Sequence, residues 1–180
     1  MASLKLEIVQ EPPFSSAAEE AFLNVLRTSD CLNRAFHRIT RNWGLTATQY
    51  NVLRILRGAH PRGLTCSAIG SRMIAAEPDI TRLLARLKTL KLVDQNRDAQ
   101  DRRVVWTHIS ETGLALLLEM DSAIRQAPGE MLGHLENAEL AELIRLLGLA
   151  RKSCEGQQTP VSCDGSKSAA QEVCAPSEER

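Results

Sequence analysis

A single change of hydrophobic period, near residue 92, constrains this chain more than any other feature. Before it come three short helical segments, each with its own start signal. Thr46 and Gln49 form a capping box, with Leu45 and Tyr50 as the matching hydrophobic staple. That helix runs to about Ala59, where Gly58, Pro61 and Gly63 stop it. Thr65 caps a second, short helix, stapled by Leu64 and Ile69 and ending near Met73. Pro78 favours a third start, because its missing N–H falls where helix donors lack partners anyway. Ile80, Leu83, Leu84, Leu87 and Leu90 give this third helix a buried stripe, while Asp79, Arg82 and Arg86 stand opposite, flanked by Thr81 and Lys88. After Leu92 and Val93 the pattern is that of strands. A polar run over 94–103 precedes a β-rich run over 104–109, which predicts a two-stranded hairpin with its tip around 98–101.

The flanks are helical. Phe22, Val25, Ser29, Leu32, Phe36, Ile39 and Trp43 alternate spacings of three and four, the seam of one long amphipathic helix. A seam this long packs on a second helix or on a partner subunit. Ser110 caps a later helix with Gly113 as its third residue, and Leu114, Leu117, Leu118 and Ala123 form its apolar face. Pro128-Gly129 is expected to interrupt it. A last helix begins near Asn137 and is expected to bury Leu140, Leu143, Ile144 and Leu147. The fold class is therefore mainly α with a small β-hairpin wing: a winged helix-turn-helix lobe over 44–109, flanked by helical regions over 17–43 and 110–153. Residues 1–16, broken by Pro12-Pro13, read as a flexible arm. Residues 154–180, with five acids, two bases and almost no large apolar side chains, read as a disordered tail.

Charge gives this plan a direction. The chain has 22 Lys or Arg and 22 Asp or Glu, so it is neutral as a whole. Between residues 82 and 103 the bases are Arg82, Arg86, Lys88, Lys91, Arg97, Arg102 and Arg103, against three acids, for a local net of +4. Most charge runs are solvated faces. This one lies on the helix that would enter a major groove and on the hairpin beside it, which makes it a footprint for phosphate.

The stretch from Gly44 to Gly113 resembles the multiple-antibiotic-resistance-regulator (MarR) family of bacterial winged-helix transcription factors. The matching pieces are Gly44-Leu45-Thr46-Ala47-Thr48-Gln49-Tyr50, Ile80-Thr81-Arg82-Leu83-Leu84-Ala85-Arg86-Leu87, Asp101-Arg102-Arg103 and Ile109-Ser110-Glu111-Thr112-Gly113. The long first helix and the last two extend the likeness over most of residues 17–153. The resemblance implies an obligate homodimer, with 17–43 and 110–153 as its dimerisation helices, on a pseudo-palindromic duplex operator, and release by a small aromatic or phenolic ligand; a repressor is the expected sense of regulation, which the residues themselves leave open. Expected DNA-facing residues are Thr65, Ser67, Pro78, Asp79, Thr81, Arg82, Arg86, Lys88, Arg97, Asp101, Arg102 and Arg103. Asp101 is read as the organiser of the wing, fixing an arginine guanidinium. His37, Trp43 and Tyr50 are the expected effector pocket, between the first and second helices. The chain departs from the family pattern at Lys91, where glycine is usual in a left-handed turn. Gln95 replaces a common arginine, and Glu77 and Asp79 add negative charge near the third helix's start.

Other readings carry less weight. Cys31, in the helix where some relatives sense hydroperoxides, is the redox candidate; its place later in that helix makes a filler side chain the plainer reading. Cys66 stands alone at a helix start. Cys154, Cys163 and Cys174 lack the close pairing of a zinc site, and His37, His60, His108 and His134 lack metal spacing. No metal or cofactor is expected. There is no phosphate-binding glycine loop, nucleophile elbow or His-Glu-x-x-His, so an enzyme is not expected. A winged-helix module that binds protein would favour apolar or aromatic anchors where the +4 stripe lies. No apolar run nears the roughly 18 residues of a membrane span. The charged N-terminus is unlike a secretory signal, so a cytoplasmic address is expected.

Overall fold

A computed structural model describes residues 3–153. In chain order its elements are α1 (Leu4–Glu7), α2 (Ala17–Arg41), α3 (Ala47–Ala59), β1 (Leu64–Thr65), α4 (Cys66–Gly70), α5 (Ile80–Thr89), β2 (Val93–Arg97), β3 (Val105–Ile109), α6 (Glu111–Leu132) and α7 (Asn137–Lys152). The expected class is the observed one, mainly α with a small antiparallel sheet.

The caps do what the sequence predicts. Thr46 Oγ1 accepts from Gln49 N at 3.1 Å, and Gln49 Oε1 accepts from Thr46 N at 2.9 Å. Thr65 caps α4 through Ala68 N, and Ser110 caps α6 through Gly113 N. α3 is the hub of the core. Val52, Leu53 and Leu56 are fully buried and pack with Ile69, Leu84, Leu87, Val93, Leu117 and Met120 in one cluster. That cluster seats α5 and the sheet on α3 and α6, so the lobe's outward residues have a rigid backing.

Five local expectations are corrected. The sheet has three strands, in the order β1-β3-β2, because Leu64 and Thr65 pair with Thr107 and Trp106. The helix expected to reach Met73 ends at Gly70. Asp79, not Pro78, opens α5: its side chain accepts from Arg82 N at 2.8 Å, and Pro78 stands one residue outside the cap. α6 runs straight through Pro128 to Leu132. Ile124, Ala127, Met131 and Leu132, buried or half-buried, carry its inner face across the proline, and packing there offsets one missing backbone bond. In α7 no residue is buried: Leu140, Leu143 and Leu147 are half-buried and Ile144 is 70% exposed. Leu4 is buried in the short α1, and Glu7 pairs with Arg27 of α2 at 3.7 Å, so the arm carries some regular structure. The tail over 154–180 lies outside the described residues.

Candidate nucleic-acid interface

α5 is sorted by its period. Ile80, Leu83, Leu84 and Leu87 face the core, and Thr81, Arg82, Arg86 and Lys88 are exposed on the other side. Pro78 and Asp79 are exposed just before it. In front stands α4, with Ser67 exposed in its first turn and Thr65 half-buried at its cap. A cleft of about 500 Å³ separates α4 and α5 from the wing; Thr65, Cys66, Ser67, Thr81, Gln95 and Arg103 line it. The structure thus brings together residues of the three segments expected to face DNA. Gln95 donates to Thr107 Oγ1 at 3.4 Å inside that cleft.

The wing is β2 paired to β3, from Val93 opposite Ile109 to Arg97 opposite Val105. Arg97, Arg102 and Arg103 are exposed. The tip closes by Asp98 N donating to Val104 O and Val104 N donating to Asp101 O, both at 2.9 Å. Its organiser differs from the expected one. Asp101 accepts the backbone N–H of Arg103 at 2.9 Å, not a guanidinium. Asp98 gathers three donors: Gln100 N at 2.8 Å, Asp101 N at 3.0 Å and the Trp106 indole Nε1 at 2.8 Å. These bonds, led by that of Asp101 N, then Trp106, then Gln100, hold its carboxyl below the usual range. Sequence reading placed Asp98 in the tip but gave it no role; an aspartate opening a turn, able to accept the backbone N–H two residues on, was the available signal.

The wing's root is built where the chain departs from the family pattern. Lys91 has φ +59°, the left-handed region in which glycine is usual. Its carbonyl accepts from Ser110 Oγ at 2.7 Å, and Leu92 O accepts from Ser110 N at 3.1 Å. The cap of α6 is therefore also a clasp on the turn between α5 and β2.

The expected effector trio does not form one pocket. Tyr50 is buried with its ring edge-on to Phe36, centroids 5.6 Å apart, and Trp43 is half-buried against the core. Both are core residues, as the staple role of Tyr50 at the start of α3 requires. His37 alone reaches a cleft, of about 420 Å³, shared with Thr46, Thr48, Glu77, Asp79, Arg82 and Arg86. Its Nδ1 accepts from Ala47 N at 3.3 Å, so the free ring position is Nε2. Cys31 is exposed, its Sγ 3.7 Å from Arg34 Nη2, which also pairs with Asp30 at 2.8 Å. Among the described residues no cluster of three or more His, Cys, Asp or Glu could hold a metal ion, and no helix is long and apolar enough to cross a membrane.

Comparisons with known proteins agree with this architecture. The MarR family model matches residues 43–104, the part that contains α3 to β2. A MarR transcription factor from Planctomyces limnophilus is 42% identical, over 76% of this chain and 99% of that one, with a TM-score of 0.60. The HTH-type transcriptional regulator MhqR of Bacillus subtilis is 27% identical over 127 residues, 69% of this chain and 83% of the relative. BpsR of Bordetella bronchiseptica, whose DNA binding is regulated by 6-hydroxynicotinic acid, is 26% identical over 76% of this chain and 99% of its own, with a TM-score of 0.65.

Proposed function

Because the chain belongs to the MarR family of transcriptional regulators, we propose that it is a repressor that binds a pseudo-palindromic operator as a homodimer and leaves it when a small aromatic ligand binds. One observation carries the reading: Thr81 of α5 and Arg103 of the wing line a common cleft, with Arg82, Arg86, Arg97 and Arg102 exposed on the same two elements. A helix of this kind fits the major groove, and a hairpin beside it reaches the adjacent minor groove, whose negative potential attracts arginine. Arg82 and Arg86 take phosphate or guanine, Lys88 and Ser67 take phosphate, and Arg97, Arg102 and Arg103 take the backbone or the minor groove. Two further features support the assembly and its control. Phe22, Val25 and Leu26 of α2, Leu118 of α6, and Ile144, Leu146 and Leu149 of α7 are exposed apolar side chains, more than a lone chain leaves in water. The cleft at His37 backs on Arg82 and Arg86, so an aromatic acid seated there competes with DNA for the same guanidinium groups.

The test starts from a duplex selected by the protein from random sequence. Half-sites should recur about one turn apart, roughly 34 Å. Arg86→Ala and Arg103→Ala should each weaken binding to that duplex, a base contact costing about 1–3 kcal/mol and a phosphate contact lowering the salt slope. Sedimentation equilibrium of the free protein should give two chains. Failure to select any duplex, or two arginine variants that bind it like the wild type, would overturn the DNA reading.

A further inference from the structure

We propose that Asp98 is the positioning residue of the wing, its carboxylate tying the tip that carries Arg102 and Arg103 to Trp106 on β3. The inference rests on the DNA reading above and deepens it.

Asp98 lies one residue past the end of β2, and Trp106 stands on β3 opposite Asn96. Two backbone N–H groups of the tip, those of Gln100 and Asp101, point at one Asp98 oxygen, and the Trp106 indole N–H points at the other. The carboxylate therefore joins the loop to the strand with both of its oxygens engaged. A second carboxylate continues the chain of bonds: Asp101, whose N–H is held by Asp98, accepts the N–H of Arg103. The backbone of Arg103 is thus two hydrogen bonds away from the Asp98 side chain. Without the Asp98 carboxylate the tip keeps its two backbone closures, Asp98 N to Val104 O and Val104 N to Asp101 O, and the Arg103 bond to an Asp101 that is itself no longer tied to β3. Arg102 and Arg103 make no ion pair with this chain among the described residues, so their side chains are placed by the backbone of the tip alone. A loop without these bonds samples many arrangements, and DNA binding must then meet the cost of ordering it. A neutral amide keeps one acceptor oxygen and turns its other end into a donor facing a donor, so Asn is a partial replacement and Ala none.

The experiment has a DNA-free and a DNA-bound arm. In the free protein the indole N–H of Trp106 is one of two such resonances, since the chain has two tryptophans. Asp98→Ala should move the Trp106 resonance and leave that of Trp43 in place. With a duplex selected on the wild type, Asp98→Ala should weaken binding about tenfold, the scale of one lost charged bond. Asp98→Asn and Trp106→Phe should fall between it and the wild type. In an Arg102→Ala, Arg103→Ala background, Asp98→Ala should have no further effect, which a residue acting only on stability would not produce. An unmoved Trp106 resonance overturns the proposal. So does wild-type affinity in Asp98→Ala while Arg103→Ala binds weakly, which leaves the DNA reading standing. Equal losses from Asp98→Ala with and without the two arginines also overturn it. If Arg103→Ala and Asp98→Ala are both neutral, the DNA reading of the wing falls together with it.

Discussion

Replacing Gly113 by alanine tests the junction on which the wing stands. Gly113 is the third residue of α6 and is buried. A Cβ there would fall on the Leu92 carbonyl oxygen, well inside contact distance, and 2.8 Å from Ile109 Cγ1. Neither neighbour yields easily. Leu92 O is backbone at the wing root and already accepts from Ser110 N, and Ile109 is a core residue at 5% exposure. The helix must therefore shift away, loosening the Ser110 clasp on Lys91 and Leu92. Overpacking of this kind costs about 3 kcal/mol at the upper end, where backbone has to move. Alanine returns about 1 kcal/mol of helix propensity, leaving a net loss of about 2 kcal/mol. For a domain of this size that lowers Tm by about 4–8 °C. The same helix supplies the control. A Cβ on Gly129 meets nothing within 4 Å, so Gly129→Ala should gain up to about 1 kcal/mol. Urea unfolding followed by far-ultraviolet circular dichroism, at one fixed protein concentration, measures both. If Gly113→Ala proves as stable as Gly129→Ala, α6 does not rest on the wing root as described.

Three further outcomes follow from the same geometry. Lys91→Val should lower stability by about 1 kcal/mol, because a β-branched side chain resists the left-handed region, whereas Lys91→Asn should leave it unchanged; thermal melts separate them. Arg57 of α3 and Asp121 of α6 form a half-buried pair at 2.8 Å, so Arg57→Met should cost about 1–2 kcal/mol, and a double-mutant cycle with Asp121→Asn should return about 1 kcal/mol of coupling. Tyr50 is the chain's one tyrosine, so an ultraviolet titration sees it alone. Burial raises its pKa above the ordinary 10.0, against the opposing pull of Arg57 and Arg54. The folded state then holds the proton longer than the unfolded one. The resulting stability is complete below pH 10 and is lost as pH rises through the folded midpoint, and Tyr50→Phe should remove that alkaline loss.

What could be read from the sequence, and what could not, divides along the range of the interactions. The caps at Thr46, Thr65 and Ser110 bind donors three residues away, so the residue types alone announce them. The sorting of α5 follows in the same way, because a 3.6-residue period fixes which side Leu83, Leu84 and Leu87 share and leaves Arg82 and Arg86 outside. Lys91 was legible as a departure, and the backbone does take the left-handed turn there. β1 was not legible: two residues become a strand only because Thr107 and Trp106, some forty positions later, pair with them. Pro128 was misread because a rule about one backbone donor was set against packing that the sequence does not display. Tyr50 was read both as a staple and as a pocket wall, because an aromatic residue near a helix start can serve as either, and its burial in the core of this chain fits the staple. The wing is the sharpest case. Asp98 and Asp101 are three residues apart in one polar run, and local rules favour the acid beside two arginines. Which acid governs the tip depends on the register of β2 against β3, since Val93 opposite Ile109 is what carries the Trp106 indole to Asp98. A shift of one residue would turn that side chain to the other face of the sheet. The identity of the wing's basic residues is thus a local property of the sequence, while their presentation depends on the pairing of two strands.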